Sequence, residues 1–403
     1  MTGKAALHPG DLRDLSRLAV DATTRLADLV EAMHGSVGPL QRLRGGAASG
    51  RTRGLTGLVY SAIRGVTRLV GGGIDGALRP LLPRLGEPAS SPRRDALVAA
   101  LNGVLGDHLQ ASGNALAIPL RLRRQGEPLT LERAALAGAF PDANGRLLVL
   151  AHGLCLSDRQ WERQGHEHGA ALARDLGFTP VYLHYNTGRH ISSNGRDFAG
   201  QLEALVREWP VPVEELTILG HSMGGLVTRS ACHSGREAGH AWLRPLRRIV
   251  FLGTPHHGSP LERGGNGVDL LLGLSSYSKP LARLGKIRSA GVTDLRYGSL
   301  VDEDWEGRDR FASGGDPRRP VPLPEGVECF AVAATTASEV GHLRDHLLAD
   351  GLVPLASALG LHHDPAHDLG IPESRRWIGT GMHHFDLLSR PEVYAQLRGW
   401  LAG

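Results

Sequence analysis

The sequence predicts a doubly wound, mostly parallel α/β sheet preceded by a helical extension. Three observations point there. Short β-rich runs alternate with helical stretches from about residue 147 to the C-terminus. The runs Leu147 to Ala151 and Arg248 to Gly253 are continuously apolar after their first residue, as strands covered on both faces require. One further run, Leu216 to Leu219, leads through a glycine-bracketed serine straight into a helical pattern.

With 403 residues the chain exceeds one ordinary core, so a catalytic-size domain with appendages is expected. Apolar residues at 41% and charged residues at 21% describe a globular chain, neither disordered nor membrane-spanning. The net charge of +4 is spread over scattered arginines and short pairs such as Arg247-Arg248 and Arg318-Arg319, so nucleic acid is not an expected partner. The N-terminal MTGKAALHPGDLRDL holds no apolar run of signal-peptide length. Cys155, Cys232 and Cys329 are odd in number and lack CxxC spacing, which suggests neither a disulfide framework nor a zinc site. A cytoplasmic location fits best.

Residues 11–110 carry helical periodicity, clearest in Leu55, Val59, Ile63, Val66, Val70, Ile74, Ala77 and Leu81. Arg64, Arg68 and Asp75 break any bilayer span. The stripe is expected to pack on the catalytic domain or a second copy, with peripheral lipid-surface contact as the alternative. The Pro- and Ser-rich string at 86–95 reads as a linker, and Asp95 to Gln110 as a short amphipathic helix. A β-hairpin is expected around Gln125-Gly126. The N-terminal helical extension is therefore placed at 1–112 and the catalytic domain at 113–403.

Within that domain the expected strands are Leu147 to Ala151, Thr179 to His184, Leu216 to Leu219, Ile249 to Leu252, Cys329 to Ala334 and Arg376 to Ile378. Helical patterns at 161–176, 194–209, 223–233 and 339–349 join them. Residues from about 259 to 315 break the rhythm with Leu270, Leu271, Leu272 and Leu274 among Gly, Ser and Tyr, and read as a cap insertion over the active site.

The strongest chemical signal is Gly220-His221-Ser222-Met223-Gly224, a G-x-S-x-G between a buried strand and a helix. A sharp turn there strains the serine backbone and crowds neighbouring chains against both glycines. The helix N-terminus behind Ser222 supplies positive potential where an oxyanion would form.

The order of LLVLAHGL, LGHSMGG, FLGTPHHGSP, DGLVP and HHFDLLSRPEVY resembles the lipase and esterase branch of the α/β-hydrolases, in the style of bacterial triacylglycerol lipases and GPI-inositol deacylases. The resemblance covers roughly 145–401. It implies the α/β-hydrolase fold, with Ser222 as nucleophile, Asp350 as acid and His384 as base. It also implies an oxyanion hole from the main-chain N–H groups of Leu154 and Met223. Asp345 is the nearest rival acid, with Asp364 and Asp368 more distant ones. His383 is the rival base, and His256 of the GTPHHGS loop would require the wrong chain order. Ser389, Pro391 and Glu392 are expected to open the last helix as a capping box.

The cluster His362, His363, His367, Asp364 and Asp368 is interrupted by Pro365, and the ligands that would join Asp386 at a calcium site are not recognisable. No metal and no cofactor are expected. The implied function is hydrolysis of a carboxylic ester with a lipid-like or medium- to long-chain acyl part, through an acyl-enzyme. An acyltransferase, or an intracellular polyhydroxyalkanoate depolymerase, would use the same triad.

Overall fold

The computed structural model describes residues 92–259, 289–308, 316, 318–339 and 349–402, together with residues 14, 16, 17 and 20. The chain divides into two compact units. One holds residues 1–91 and 111–116, and the other 92–110 and 117–403. The leucine and valine stripe between Leu55 and Leu81, the Leu270 to Leu274 cluster and Asp345 lie outside the described residues.

The second unit opens with α1 (Pro92–Ala111), whose Pro92 and Asp95 suit a first helical turn. Residues 86–95 were expected to be linker, but the helix already begins at Pro92. An amphipathic helix was also expected, yet every residue from Ala99 to Gly106 is buried. Asn102 Oδ1 accepts from Ile118 N at 2.9 Å, and Asn186 Nδ2 donates to Gly106 O at 2.8 Å. The expected boundary at 112/113 would separate this helix from the unit that it shares with the sheet.

Strands β1 (Arg121–Arg124) and β2 (Glu127–Pro128) form the expected hairpin. Gln125 (φ 53°) and Gly126 (φ 82°) make its two-residue turn, with the positive φ at both positions that a type I′ turn needs. After α2 (Arg133–Ala139) come β3 (Arg146–Ala151), α3 (His168–Leu176), β4 (Thr179–His184), α4 (Ile191–Glu208), β5 (Glu215–His221), α5 (Met223–Glu237) and β6 (Leu246–Leu252). The short α6 (Ala290–Asp294), β7 (Glu328–Thr335), α7 (Leu355–Ala358), β8 (Arg376–Thr380) and α8 (Pro391–Leu401) complete it.

The sheet order is β2-β1-β4-β3-β5-β6-β7-β8. Strands β4 to β8 are parallel with β3, and only the hairpin runs antiparallel. The central strands are buried along nearly their whole length because helices cover both faces. On one face Leu148, Leu150, Leu219, Val250, Leu252, Phe330 and Val332 pack with Trp161, Leu172, Phe178 and the apolar side of α8.

The helix expected at 161–176 starts only at His168. Gln164 and Gly165 both have positive φ, and the Glu167 carboxylate caps the N–H groups of Gly169 and Ala170. Ser389 does not cap α8; its hydroxyl donates to Gln164 Oε1 instead, and Pro391 occupies the first turn after an Arg390 N-cap. The described part of the insertion, 289–308, is fastened to α4. Asp294 accepts from Ile191 N at 2.8 Å, Trp305 stacks on His190 at 3.7 Å, and Arg196 pairs with Asp302 at 2.9 Å.

Candidate active site

Ser222 lies between β5 and α5 at φ 54°, ψ −123°, a conformation that non-glycine residues rarely adopt. The turn is held open by bonds rather than by its own preference. Ser222 N donates to Leu252 O at 2.8 Å and Gly225 N donates to Ser222 O at 3.1 Å. Space is as tight as the sequence suggested: a Cβ on Gly224 would sit 2.1 Å from Ala151 O. Only glycine fits, so the helix N-terminus comes directly against the end of β3.

Asp350 and His384 meet at the ends of β7 and β8. His384 Nδ1 is 2.7 Å from Asp350 Oδ2, and both side chains are 2% exposed or less. The other carboxylate oxygen accepts from Leu352 N at 2.9 Å and Val353 N at 2.8 Å, so the loop DGLVP wraps its own acid. His384 N also donates to Asp350 O at 3.1 Å. With Nδ1–H directed at the carboxylate, Nε2 keeps its lone pair; it is buried and has no partner among the described residues. Gly253, the residue after Leu252, has φ 57°, and a Cβ there would lie 2.9 Å from the His384 ring. The imidazole therefore lies beside the strand end that also anchors Ser222 N.

The rivals separate cleanly where they are described. His383 is exposed and its N–H is capped by Asp386 Oδ2 at 2.9 Å. Asp364 is exposed and accepts from Ala366 N, while Asp368 accepts from His362 N and Gly370 N. His256 is fully buried beside Arg229. Among the described residues no group of three or more His, Cys, Asp or Glu is arranged to hold a metal.

The loop after β3 comes against the serine: a Cβ on Gly153 would sit 3.0 Å from Ser222 Cβ. Leu154 and Met223 are both buried. No described residue accepts from Leu154 N–H, and Met223 N–H is the first donor of the helix and has no main-chain acceptor among the described residues. Cys155 takes φ 60° and its N–H donates to Thr187 Oγ1 at 3.2 Å, which turns this loop over the strand ends.

Tyr185, Asp158, Arg123 and His184, which support the site, were not singled out from the sequence, and His152 and His221 were read only as parts of motifs. Tyr185 stacks on His152 at 4.5 Å and donates from its hydroxyl to His152 O at 2.8 Å. Asp158 lies beneath the same loop, 3.2 Å from Arg123 and 3.1 Å from His184. Burial alone would raise the Asp158 carboxyl, but the His184 bond and charge, with Arg123, outweigh it and hold it below the ordinary carboxylate value. Burial, and then the nearby His184, push the His152 imidazole down to about 3. His221 is pushed well below its ordinary value by burial and then by His384, whose ring is 4.8 Å away. Both imidazoles are therefore neutral at working pH. The signal for His152 and His221 was their place inside the HG and G-x-S-x-G strings; nothing in sequence spacing pairs Asp158 with Arg123 and His184.

Residues 142–316 match the family model described as the PGAP1-like alpha/beta domain. Together with the parallel sheet and the strained serine between β5 and α5, that match fits one fold. The fold is that of the α/β-hydrolases. The mature form of the Bacillus licheniformis lipase BlEst2 is similar at 17% identity and TM-score 0.41, over 70% of this chain and 98% of that one. Lipase B of Aspergillus fumigatus aligns at 10% identity and TM-score 0.40, over 70% of this chain and 56% of that one. A Pyrococcus furiosus esterase aligns at 12% identity and TM-score 0.37, over 64% and 81%. No curated protein matches the chain by sequence.

Proposed function

We propose that the protein is a serine hydrolase of carboxylic esters, using Ser222, Asp350 and His384 as its triad and Leu154 and Met223 as oxyanion donors. The observation that carries the reading is the 2.7 Å His384 to Asp350 bond with Nε2 left unpartnered, beside the strand end that bonds Ser222 N. His384 Nε2 takes the Ser222 proton as its oxygen attacks the ester carbonyl. Asp350, held by two main-chain N–H groups, stabilises the imidazolium that forms. The two main-chain donors take up the tetrahedral oxyanion; each contributes of order 3 kcal/mol in comparable sites. The imidazolium then protonates the leaving alcohol, and water activated by the same base releases the acid.

The substrate is proposed to be a lipid-like or medium- to long-chain acyl ester, on the strength of the sequence cluster Leu270, Leu271, Leu272 and Leu274 in the insertion that follows β6. All three cysteines are free, which supports a reducing, cytoplasmic setting. The test is hydrolysis of p-nitrophenyl esters from acetate to palmitate, with and without an added alcohol acceptor. Wild type should prefer octanoate or longer and release free acid, and Ser222→Ala should lose at least about a thousandfold in rate while staying folded. Preference for acetate would contradict the lipid-like acyl group, dominant transfer to the alcohol would favour an acyltransferase, and retained activity in Ser222→Ala would end the serine mechanism.

A further inference from the structure

A cavity of about 230 Å³, with none of Ser222, Asp350 and His384 in its lining, lies between α5, the GTPHHGS loop and the segments 318–322 and 366–369. Its wall includes Arg229, His256, Arg318, Asp304 and Asp368, and exposed Pro320, Pro322 and Ala366 lie at its rim.

Arg229 stands on α5 two helical turns after Ser222 and is 5% exposed. Its Nη2 donates to Val321 O at 2.5 Å and its Nη1 approaches His256 Nδ1 at 3.4 Å. Its buried Nε has no acceptor, and no described carboxylate lies within ion-pair distance of it. A guanidinium only donates, so the Arg229 contact makes His256 Nδ1 the acceptor and leaves the ring proton on Nε2. That N–H is buried and likewise has no acceptor among the described residues.

The other charges on the wall are already committed. Arg318 is gripped by the Asp316 carboxylate at 2.6 Å and donates to His256 O at 2.9 Å. Asp304 accepts from the N–H groups of Leu300, Val301 and Arg319, and Asp368 from those of His362 and Gly370. What remains among the residues of this wall is one buried cation and two buried N–H donors without acceptors among the described residues. Burial, and then the charge of Arg318, push Arg229 down to about 9, which leaves it charged at neutral pH. Groups of this kind are unfavourable unless acceptors reach them. Water supplies acceptors; an oxyanion supplies them together with the missing charge.

We propose that this cavity is a binding site for a compact oxyanion, a carboxylate or phosphate group, taken up by Arg229 and His256. It is separate from the ester-hydrolysing centre and does not depend on that reading. The full chain, dialysed into phosphate-free buffer at constant ionic strength, is titrated calorimetrically with inorganic phosphate, with acetate and with glycerol 3-phosphate. At least one should bind saturably at one site per chain and raise Tm. The three arms tell a carboxylate, a free phosphate and a lipid headgroup apart. Arg229→Met should weaken binding at least about tenfold. Ala366→Glu, at the exposed rim, leaves the buried wall untouched, puts a like charge at the mouth, and should also weaken it by about tenfold or more. Absence of saturable binding of all three anions by wild type would overturn the proposal. So would unchanged binding in Arg229→Met or, where that variant does not fold, in Ala366→Glu.

Discussion

At the N-terminal edge of the sheet, Arg146 of β3 pairs with Glu215 of β5 at 3.0 Å, Arg248 of β6 reaches Glu215 at 2.6 Å and Glu328 of β7 at 3.4 Å, and Arg375 also meets Glu328. Each charge in that row has an opposite charge beside it. At the C-terminal edge of the same strands, Ser222 is held at positive φ and Nε2 of both His384 and His152 is buried without a described partner. The strands are the same; the ends differ in what is left unsatisfied. An edge that only stabilises can pair everything, whereas an edge that binds a reacting group must keep donors, a lone pair and a strained backbone in reserve.

The comparison breaks first, and by the largest margin, at the base and acid. His384→Ala should lower ester hydrolysis by at least about a thousandfold, and His383→Ala should leave it nearly unchanged. Asp350→Asn should cost about ten-thousandfold, because an amide would favour the wrong imidazole tautomer. These rates are read on a short ester with each variant's folding checked by circular dichroism. Loss in His383→Ala with activity retained in His384→Ala would move the base.

A middle-sized effect is expected from the buried imidazoles at or near the C-terminal edge. Burial is the first cause that pushes His152 down to about 3 and His168 to about 4 from 6.5, and His221 and His256 fall well below it. Each is neutral when folded, and in the unfolded chain each takes a proton below about pH 6.5. The folded-state value is the lower one, so acid favours unfolding. Stability should be full above about pH 6.5 and fall as pH drops towards the folded values, by about 1.4 kcal/mol per pH unit for each such histidine. Urea unfolding at pH 7.5, 6 and 5 checks this, and equal stability at all three would contradict it.

The smallest effect belongs to the paired edge. Glu215→Gln removes a carboxylate shared by two arginines that is 16% exposed, and should cost only about 1 kcal/mol. Ester hydrolysis should not change. A large loss of rate in this variant would show that the two ends are coupled rather than separate.

Strand positions were legible because an apolar run buried on both faces has few other uses; five of the six expected strands in the parallel sheet begin within one residue of the observed start. The exception, expected from Ile249, begins at Leu246 because Leu246 and Arg248 already pair with β5. The turn at Ser222 was legible because its glycines answer a steric demand. Helix starts were harder. His168 begins α3 because Glu167 caps it and Gln164-Gly165 turn the chain, both local effects that apolar periodicity does not register. The burial of α1 on all sides was not legible, since its polar Asn102 bonds to Ile118, a contact between different elements. The same holds for Arg123, Asp158 and His184, which come from three elements and meet only in the fold.

The central claim is that Ser222 is a nucleophile activated by His384, and covalent labelling reads it without any choice of ester. The purified chain is treated with a fluorophosphonate probe, digested, and the modified residue located by mass spectrometry. A single adduct on Ser222 is expected, formed quickly in wild type and His383→Ala, slowly in His384→Ala, and not at all in Ser222→Ala. No adduct in the wild type, or an adduct on another residue that persists in Ser222→Ala, would contradict it.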